Sequence, residues 1–231
     1  MNNIGSVKED LTKEKRISVT PESIKKFIDL GLSVNLETKY AEHLGISDND
    51  YKKNGANIIF SKEEVFKKSD IILKVNSIST DEVNLIKDKS ILIAQFDPNL
   101  NTDIINKLTK KDVKIFSLNL LPRISRAQSM DTLSSQANLA GYKAVIESFS
   151  MFEKAIPMMM TAAGTIPAAK VLVLGAGVAG LQAIATAKRL GAIVSATDVR
   201  IVAKEQVESL GGKFLSVEGV ENLETSGGYA K

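Results

Sequence analysis

The sequence predicts an α/β protein made of two doubly wound parallel-sheet domains, the second of them incomplete. Three observations carry that expectation. From Arg16 to Phe116, short apolar runs alternate with polar segments of helix length. The same rhythm resumes at Lys170, where a continuous apolar run enters a glycine-rich turn. Beyond Lys213 there is too little sequence for the further strands that a full second sheet carries. With 231 residues, 44% of them hydrophobic, the chain can bury a core without disulfides or metals.

In chain order, residues 16–19 read as a strand. Thr20-Pro21-Glu22 opens a helix through Leu30, with Thr20 as N-cap and Pro21 at the first helical position, where a missing N–H costs nothing. Gly31 stops that helix, and 32–36 resumes as a strand. Further strands are expected at 71–75, 91–95 and 113–116, with helices at 48–54, 62–68, 80–87 and 101–110. Residues 118–131 contain Pro122 and little apolar periodicity, and read as a loop. From 133 to 152, Leu139, Tyr142, Val145, Ile146 and Phe149 recur at helical spacing, predicting a long amphipathic connecting helix. The second domain then reads as strand 170–174, turn 175–180, helix 178–190, strand 192–197, helix 202–210 and strand 213–217. The expected division is an N-terminal domain at 1–132, a connecting helix and linker at 133–169, and the second domain at 170–231.

Composition narrows the function. With no cysteine, thiolate catalysis and zinc–thiolate sites are excluded. The net charge is only +3, and the basic residues of 8–16 and 107–114 are interleaved with acids, so a nucleic-acid partner is not expected. No run approaches the ~18 apolar residues of a membrane helix. The polar N-terminus lacks a signal-peptide core, which points to the cytoplasm. Met158, Met159 and Met160 are adjacent and read as core or interdomain packing rather than a soft-metal site, and no other cluster has metal-ligand spacing.

The chemistry lies in Val171-Leu-Val-Leu-Gly-Ala-Gly-Val-Ala-Gly180. A G-x-G-x-x-G string is weak alone, but an apolar strand before it and an amphipathic helix after it make it a Rossmann-type dinucleotide turn. Gly175 permits the tight turn, Gly177 lets the backbone approach a pyrophosphate, and Gly180 lets helix and strand pack closely. The free N–H groups and dipole of the helix start then stabilise the phosphates. Asp198 ends the next strand roughly 20 residues on, where a carboxylate accepts hydrogen bonds from the ribose hydroxyls of NAD and repels a 2′-phosphate. Arg200, two residues further, leaves NADP open as a less favoured ligand.

Arg123-Ile-Ser-Arg-Ala-Gln-Ser-Met-Asp131, residues 133–141, Pro157-Met-Met-Met-Thr-Ala-Ala-Gly-Thr165, residues 175–183, Asp198-Val-Arg200 and residues 204–211 together carry a resemblance. They resemble the NAD(H)-binding alpha subunits of proton-translocating NAD(P) transhydrogenases, with a looser match over 16–116. The resemblance implies hydride transfer between NADH and NADP+, coupled to proton passage. NADP(H) is held by a partner, and membrane subunits dock this chain at the inner or plasma membrane. It implies a cofactor set of Gly175, Gly177, Val178, Gly180, Asp198, Val199 and Arg200. Arg123, Gln128, Asp131 and Ser134 correspond to the polar loop beside the nicotinamide. On residues alone, that loop reads equally as an ordinary polar loop with an internal Arg–Asp pair. Tyr229 matches the tyrosine of a loop that folds over bound nucleotide, or is a terminal aromatic without that role. A homodimer is also implied.

The sequence departs from the family by stopping after the first half of the nucleotide fold. A C-terminally truncated or split subunit is therefore expected, completed by a second chain that supplies the missing strands or left as a degraded remnant, or else a non-catalytic NAD-binding or assembly subunit. A related reading is an alanine dehydrogenase. Lys74 could serve such a substrate, but the strand tip Ala94-Gln95-Phe96 carries no histidine, and the only histidine, His43, reads as a surface residue.

Overall fold

The computed structural model describes residues 2–122 and 124–216. The chain divides into two compact units that separate between Asp131 and Thr132.

In the first unit, six parallel strands form one sheet: β1 (Asn3–Ser6), β2 (Ser33–Glu37), β3 (Asn57–Ile59), β4 (Ile71–Leu73), β5 (Ile91–Ala94) and β6 (Lys114–Ser117). Their spatial order is β3-β2-β1-β4-β5-β6, so the winding reverses between β1 and β4. Parallel pairing forces a crossover after each strand. Helices α1 (Pro21–Asp29), α2 (Asp48–Lys53), α3 (Lys62–Lys68), α4 (Thr80–Leu85) and α5 (Thr102–Lys110) supply most of these. Alternate strand residues face opposite layers: Ile71 packs with Ile24, Val34, Leu36 and Tyr51, whereas Ile72 packs with Phe66, Leu92 and Leu108.

Local chemistry sets the helix starts. Thr20, Ser47, Ser61 and Ser79 each accept a backbone N–H of the first turn, and Thr20, Ser47 and Ser79 complete capping boxes with Ser23, Asp50 and Glu82. Helix α1 ends before Gly31, whose φ of +75° is one that glycine adopts without strain.

Residues 16–19, expected as a strand, are irregular. The strand beside β2 and β4 is instead Asn3–Ser6, in the polar N-terminal stretch. The reason is physical. Ile17 and Val19 alternate as a strand would, and Val19 is buried, but the Ser18 and Val19 N–H groups donate to the Tyr40 hydroxyl at 3.0 and 3.3 Å instead of to a ladder. Gly5 fits β1 because a Cβ there would collide with the Ser69 side chain. Strand β3, three residues at the sheet edge, is too short to show periodicity. Residues 118–131 hold two short 3-10 turns, Leu118–Leu120 and Ser125–Met130.

The second unit opens with α6 (Thr132–Met151), followed by an antiparallel hairpin of β7 (Met159–Thr161) and β8 (Gly164–Ile166). A parallel sheet of order β11-β10-β9 follows. Its elements are β9 (Lys170–Leu174), α7 (Val178–Arg189), β10 (Ile193–Thr197), α8 (Ala203–Ser209) and β11 (Lys213–Phe214). Val194, Ala196, Ile184, Ala187 and Val207 form its core. Leu172 and Leu174 point to the other face and are exposed.

Two expectations are corrected in this unit. The α6 stripe does not face a core along its length: Val145 is buried and Phe149 packs on it, but Leu139 and Tyr142 are exposed. Met158, Met159 and Met160 are exposed around the hairpin, which corrects the core half of that reading; the antiparallel pairing of Met159 and Met160 with Ile166 and Thr165 carries the segment out of the sheet layers.

Helix α6 meets α7 backbone to backbone at Gly141, where a Cβ would strike the Ala179 carbonyl and its carbon. In an ordinary exposed helix, Gly→Ala gains about 1 kcal/mol. Here backbone would have to move, so Gly141→Ala is expected to lower the unfolding free energy by about 1–3 kcal/mol in urea titration. A neutral or stabilising result would refute the close contact.

Candidate functional site

The turn from β9 into α7 is made by its glycines. Gly175 has φ +89°, a left-handed conformation that β-carbons disfavour. Gly180 lies so close to the Gly175 carbonyl that a Cβ would overlap it, which draws the helix start onto the strand end. Gly177, the N-cap, differs: its backbone is extended, and a Cβ there would meet open space. It supplies no side-chain cap. The Leu181 N–H donates to the Gly177 carbonyl at 2.8 Å, closing the first helical turn. The N–H groups of Val178, Ala179 and Gly180 therefore begin a twelve-residue helix whose N-cap makes no side-chain hydrogen bond to them, which suits an anionic ligand.

Asp198 stands just past β10, with its side chain 6% exposed. Its Oδ2 accepts the Ala176 N–H at 2.7 Å from inside the glycine turn. Its Oδ1 accepts the Arg200 backbone N–H at 2.8 Å and Nε–H at 2.9 Å, and Arg200 Nη2 donates to Oδ2 at 3.0 Å. The same Nη2 donates to the Ala176 carbonyl at 3.2 Å. The Arg200 guanidinium, opposed by burial and helped by the Arg200 and Ala176 N–H groups, brings the Asp198 carboxyl down from the ordinary 3.8 to about 2. Strand tip, turn and helix start thus form one constellation around Gly175, Gly177, Val178, Gly180, Asp198, Val199 and Arg200. Val178 and Val199 are exposed beside it. A dinucleotide fits this donor set: open backbone over Gly177 for phosphates, and an ionised carboxylate for a ribose diol.

The other expected site residues are distributed differently. Gln128, in the 3-10 turn Ser125–Met130, and Asp131, which closes it, belong to the first unit, and Gln128 is exposed. Ser134 is in the first turn of α6, in the second unit. Arg123 and Tyr229 lie outside the described residues.

Reading the sequence missed a second polar cluster, at the point where the first sheet reverses its winding. Lys74, just past β4 and 5% exposed, donates to both Glu82 carboxylate oxygens at 3.2 and 3.1 Å and pairs with Glu9 at 3.7 Å. Burial pushes the Glu9 carboxyl up, against the pull of Lys74 and the Val75 N–H. Glu14 and Arg16 form a bidentate pair at 2.9 and 2.7 Å. The available signal was the Ser79-x-x-Glu82 spacing, which reads as a capping box and conceals the bond to Lys74. His43 is exposed, its Nε2 on the Lys15 carbonyl. Among the described residues, no group of three or more His, Cys, Asp or Glu could hold a metal, and no helix is long and apolar enough to cross a membrane.

Two family models match the chain: the alanine dehydrogenase/PNT N-terminal domain over residues 5–140 and the alanine dehydrogenase/PNT C-terminal domain over residues 144–227. The first part of the NAD(P) transhydrogenase subunit alpha of Rhodospirillum rubrum is 49% identical over 231 residues, covering 97% of this chain and 60% of that protein. A transhydrogenase structure from Sinorhizobium meliloti superposes with TM-score 0.88 at 49% identity, covering 93% of this chain and 64% of its own. An L-alanine dehydrogenase structure, at 23% identity, shares the fold with TM-score 0.81 over 94% of this chain and 61% of its own. The chain therefore spans about 60% of the length of the curated relative it matches.

The Asp198 carboxyl titrates lower folded than unfolded, so its bonds stabilise the fold above pH 4, and that contribution disappears as pH falls toward 2. It is worth on the order of 2 kcal/mol. Thermal unfolding of the wild type should therefore lose more stability between pH 5 and pH 2.5 than that of Asp198→Asn, which cannot ionise. Parallel curves for the two proteins would contradict the assignment.

Proposed function

The chain belongs to the alanine dehydrogenase/PNT family, and from that premise we propose that it is the NAD(H)-binding alpha component of an NAD(P) transhydrogenase. The observation that carries the reading is the Asp198 carboxylate bonded into the Gly175–Gly180 turn, an ionised group at a strand tip beside an open helix start. Gly175, Gly177, Val178 and Gly180 hold the pyrophosphate, and Asp198, Val199 and Arg200 surround the adenosine ribose. Arg123, Gln128, Asp131 and Ser134 orient the nicotinamide, and Tyr229 closes over the nucleotide.

Hydride transfer asks no general acid or base of these residues. It asks that two nicotinamide rings be held close and aligned, with water kept out. Bound NADH supplies the hydride, and NADP+ on a partner subunit receives it. Membrane subunits carry the coupled proton and hold this chain at the membrane surface. The chain works as a homodimer.

The family name also includes alanine dehydrogenases. An amino-acid dehydrogenase needs a cation free for a substrate carboxylate. The Lys74 ammonium is instead held by Glu82 and Glu9, and Arg16 by Glu14, which argues against that chemistry.

Titrating the chain with NADH and NADPH, followed by reduced-nicotinamide fluorescence, should give saturable binding that favours NADH. Asp198→Ala should weaken NADH by roughly 10- to 100-fold, the value of the charge-assisted bonds to the ribose. Adding the NADP-binding and membrane subunits should then give turnover. Binding of neither nucleotide would overturn the reading, whereas binding without turnover would leave a non-catalytic nucleotide-binding subunit.

A further inference from the structure

A carboxylate offers about four lone-pair positions to donors. All four on Asp198 are filled from within the chain. Oδ1 takes the Arg200 backbone N–H and Nε–H, and Oδ2 takes the Ala176 N–H and Arg200 Nη2–H. Two of these donors are backbone groups fixed by the turn and by the residue order 198–200. The other two belong to one guanidinium, itself anchored across the turn to the Ala176 carbonyl. Only the guanidinium can leave without unfolding the turn.

We propose that Arg200 is a latch on the ribose seat, whose Nε and Nη2 hold the two positions on Asp198 that the ribose hydroxyls of NAD(H) must take. This rests on reading Asp198 as the ribose carboxylate. Nucleotide enters by displacing the guanidinium, and the lost bidentate pair is subtracted from its affinity. The pair is largely sheltered, with side chains 14% and 6% exposed, so it is not a weak surface contact. Once displaced, the cation remains tethered two residues from the ribose seat. NADH offers it no anion at the 2′ position, whereas NADPH offers a phosphate, for which a guanidinium is a suitable partner.

The latch therefore acts with opposite sign on the two nucleotides. It works against NADH, which must break the pair and gives nothing back. It works for NADPH, whose 2′-phosphate takes over the guanidinium that Asp198 releases. An arginine that merely held the turn in shape would, when removed, weaken both.

The test is titration of wild type, Arg200→Ala and Arg200→Lys with NADH and NADPH, followed by calorimetry. Arg200→Ala should bind NADH about ten-fold more tightly and NADPH about ten-fold more weakly than wild type. Arg200→Lys keeps a cation but cannot span both oxygens, so it should bind NADH more tightly than wild type while retaining most of the NADPH affinity. Should the alanine variant not fold, the lysine variant decides by the same NADH criterion. Wild type that binds NADH, beside folded variants that bind it no more tightly, overturns the latch and leaves the ribose reading standing. Absence of NADH binding from wild type and variants alike overturns both.

Discussion

Parallel strand pairing is the constraint on which the rest of this chain depends. Both principal sheets are built only from parallel pairs. A parallel strand cannot return by a hairpin, so its connection must cross a sheet face, and the C-terminal strand ends gather at one edge. Four of the residues that organise the two polar clusters sit just past such an end. Glu9 follows β1, Lys74 follows β4, Gly175 follows β9 and Asp198 follows β10. The pairing that makes the strands apolar also collects the charges.

The two units treat those charges differently. In the first, the partners come from other elements: Lys74 meets Glu82 from α4, the next helix, and Glu9 from beyond β1, so the pairs tie the sheet to its connections and hold the lysine in place. In the second, the ionic partner of Asp198 is Arg200, two residues away, and the more distant bond is the Ala176 N–H. A pair with a partner so near in sequence can open without disturbing the sheet. The first unit's cluster is therefore built as a tie, and the second's as a seat.

Legibility from sequence followed the length and independence of the local signals. Helix 62–68 and strand 170–174 were read at their observed bounds because a serine cap fixes one and a five-residue run fixes the other. The glycine turn and Asp198 were legible because their geometry is local. Residues 16–19 misled because alternating apolar residues pack the same way whether their N–H groups meet a ladder or a tyrosine hydroxyl. Strand β1 was hidden because its one large apolar residue, Ile4, gives no period. The Asp198–Arg200 pairing could be suspected from spacing, but which oxygens it fills could not. In the Lys74–Glu82–Glu9 cluster, the approach of Glu9 to Lys74 depends on the strand order itself, which sets β1 beside β4.

The strand order also links the sheet to the proposed site. In the first unit, β1 lies between β2 and β4, and Ile4 is 2% exposed. In the second, β9 holds the matching place in the order β11-β10-β9, yet among the described residues it pairs with β10 alone, and Leu174 is 75% exposed. An unpaired edge and an exposed apolar face are where a further strand or layer adds to such a sheet. Gly175 begins the nucleotide turn at the end of that same strand. The open edge of β9 and the proposed pyrophosphate seat therefore adjoin at the end of one strand, so what packs there bears on both. The adenosine side of the proposed seat is organised by β10, paired along β9, and by Asp198, bonded into the turn that follows β9.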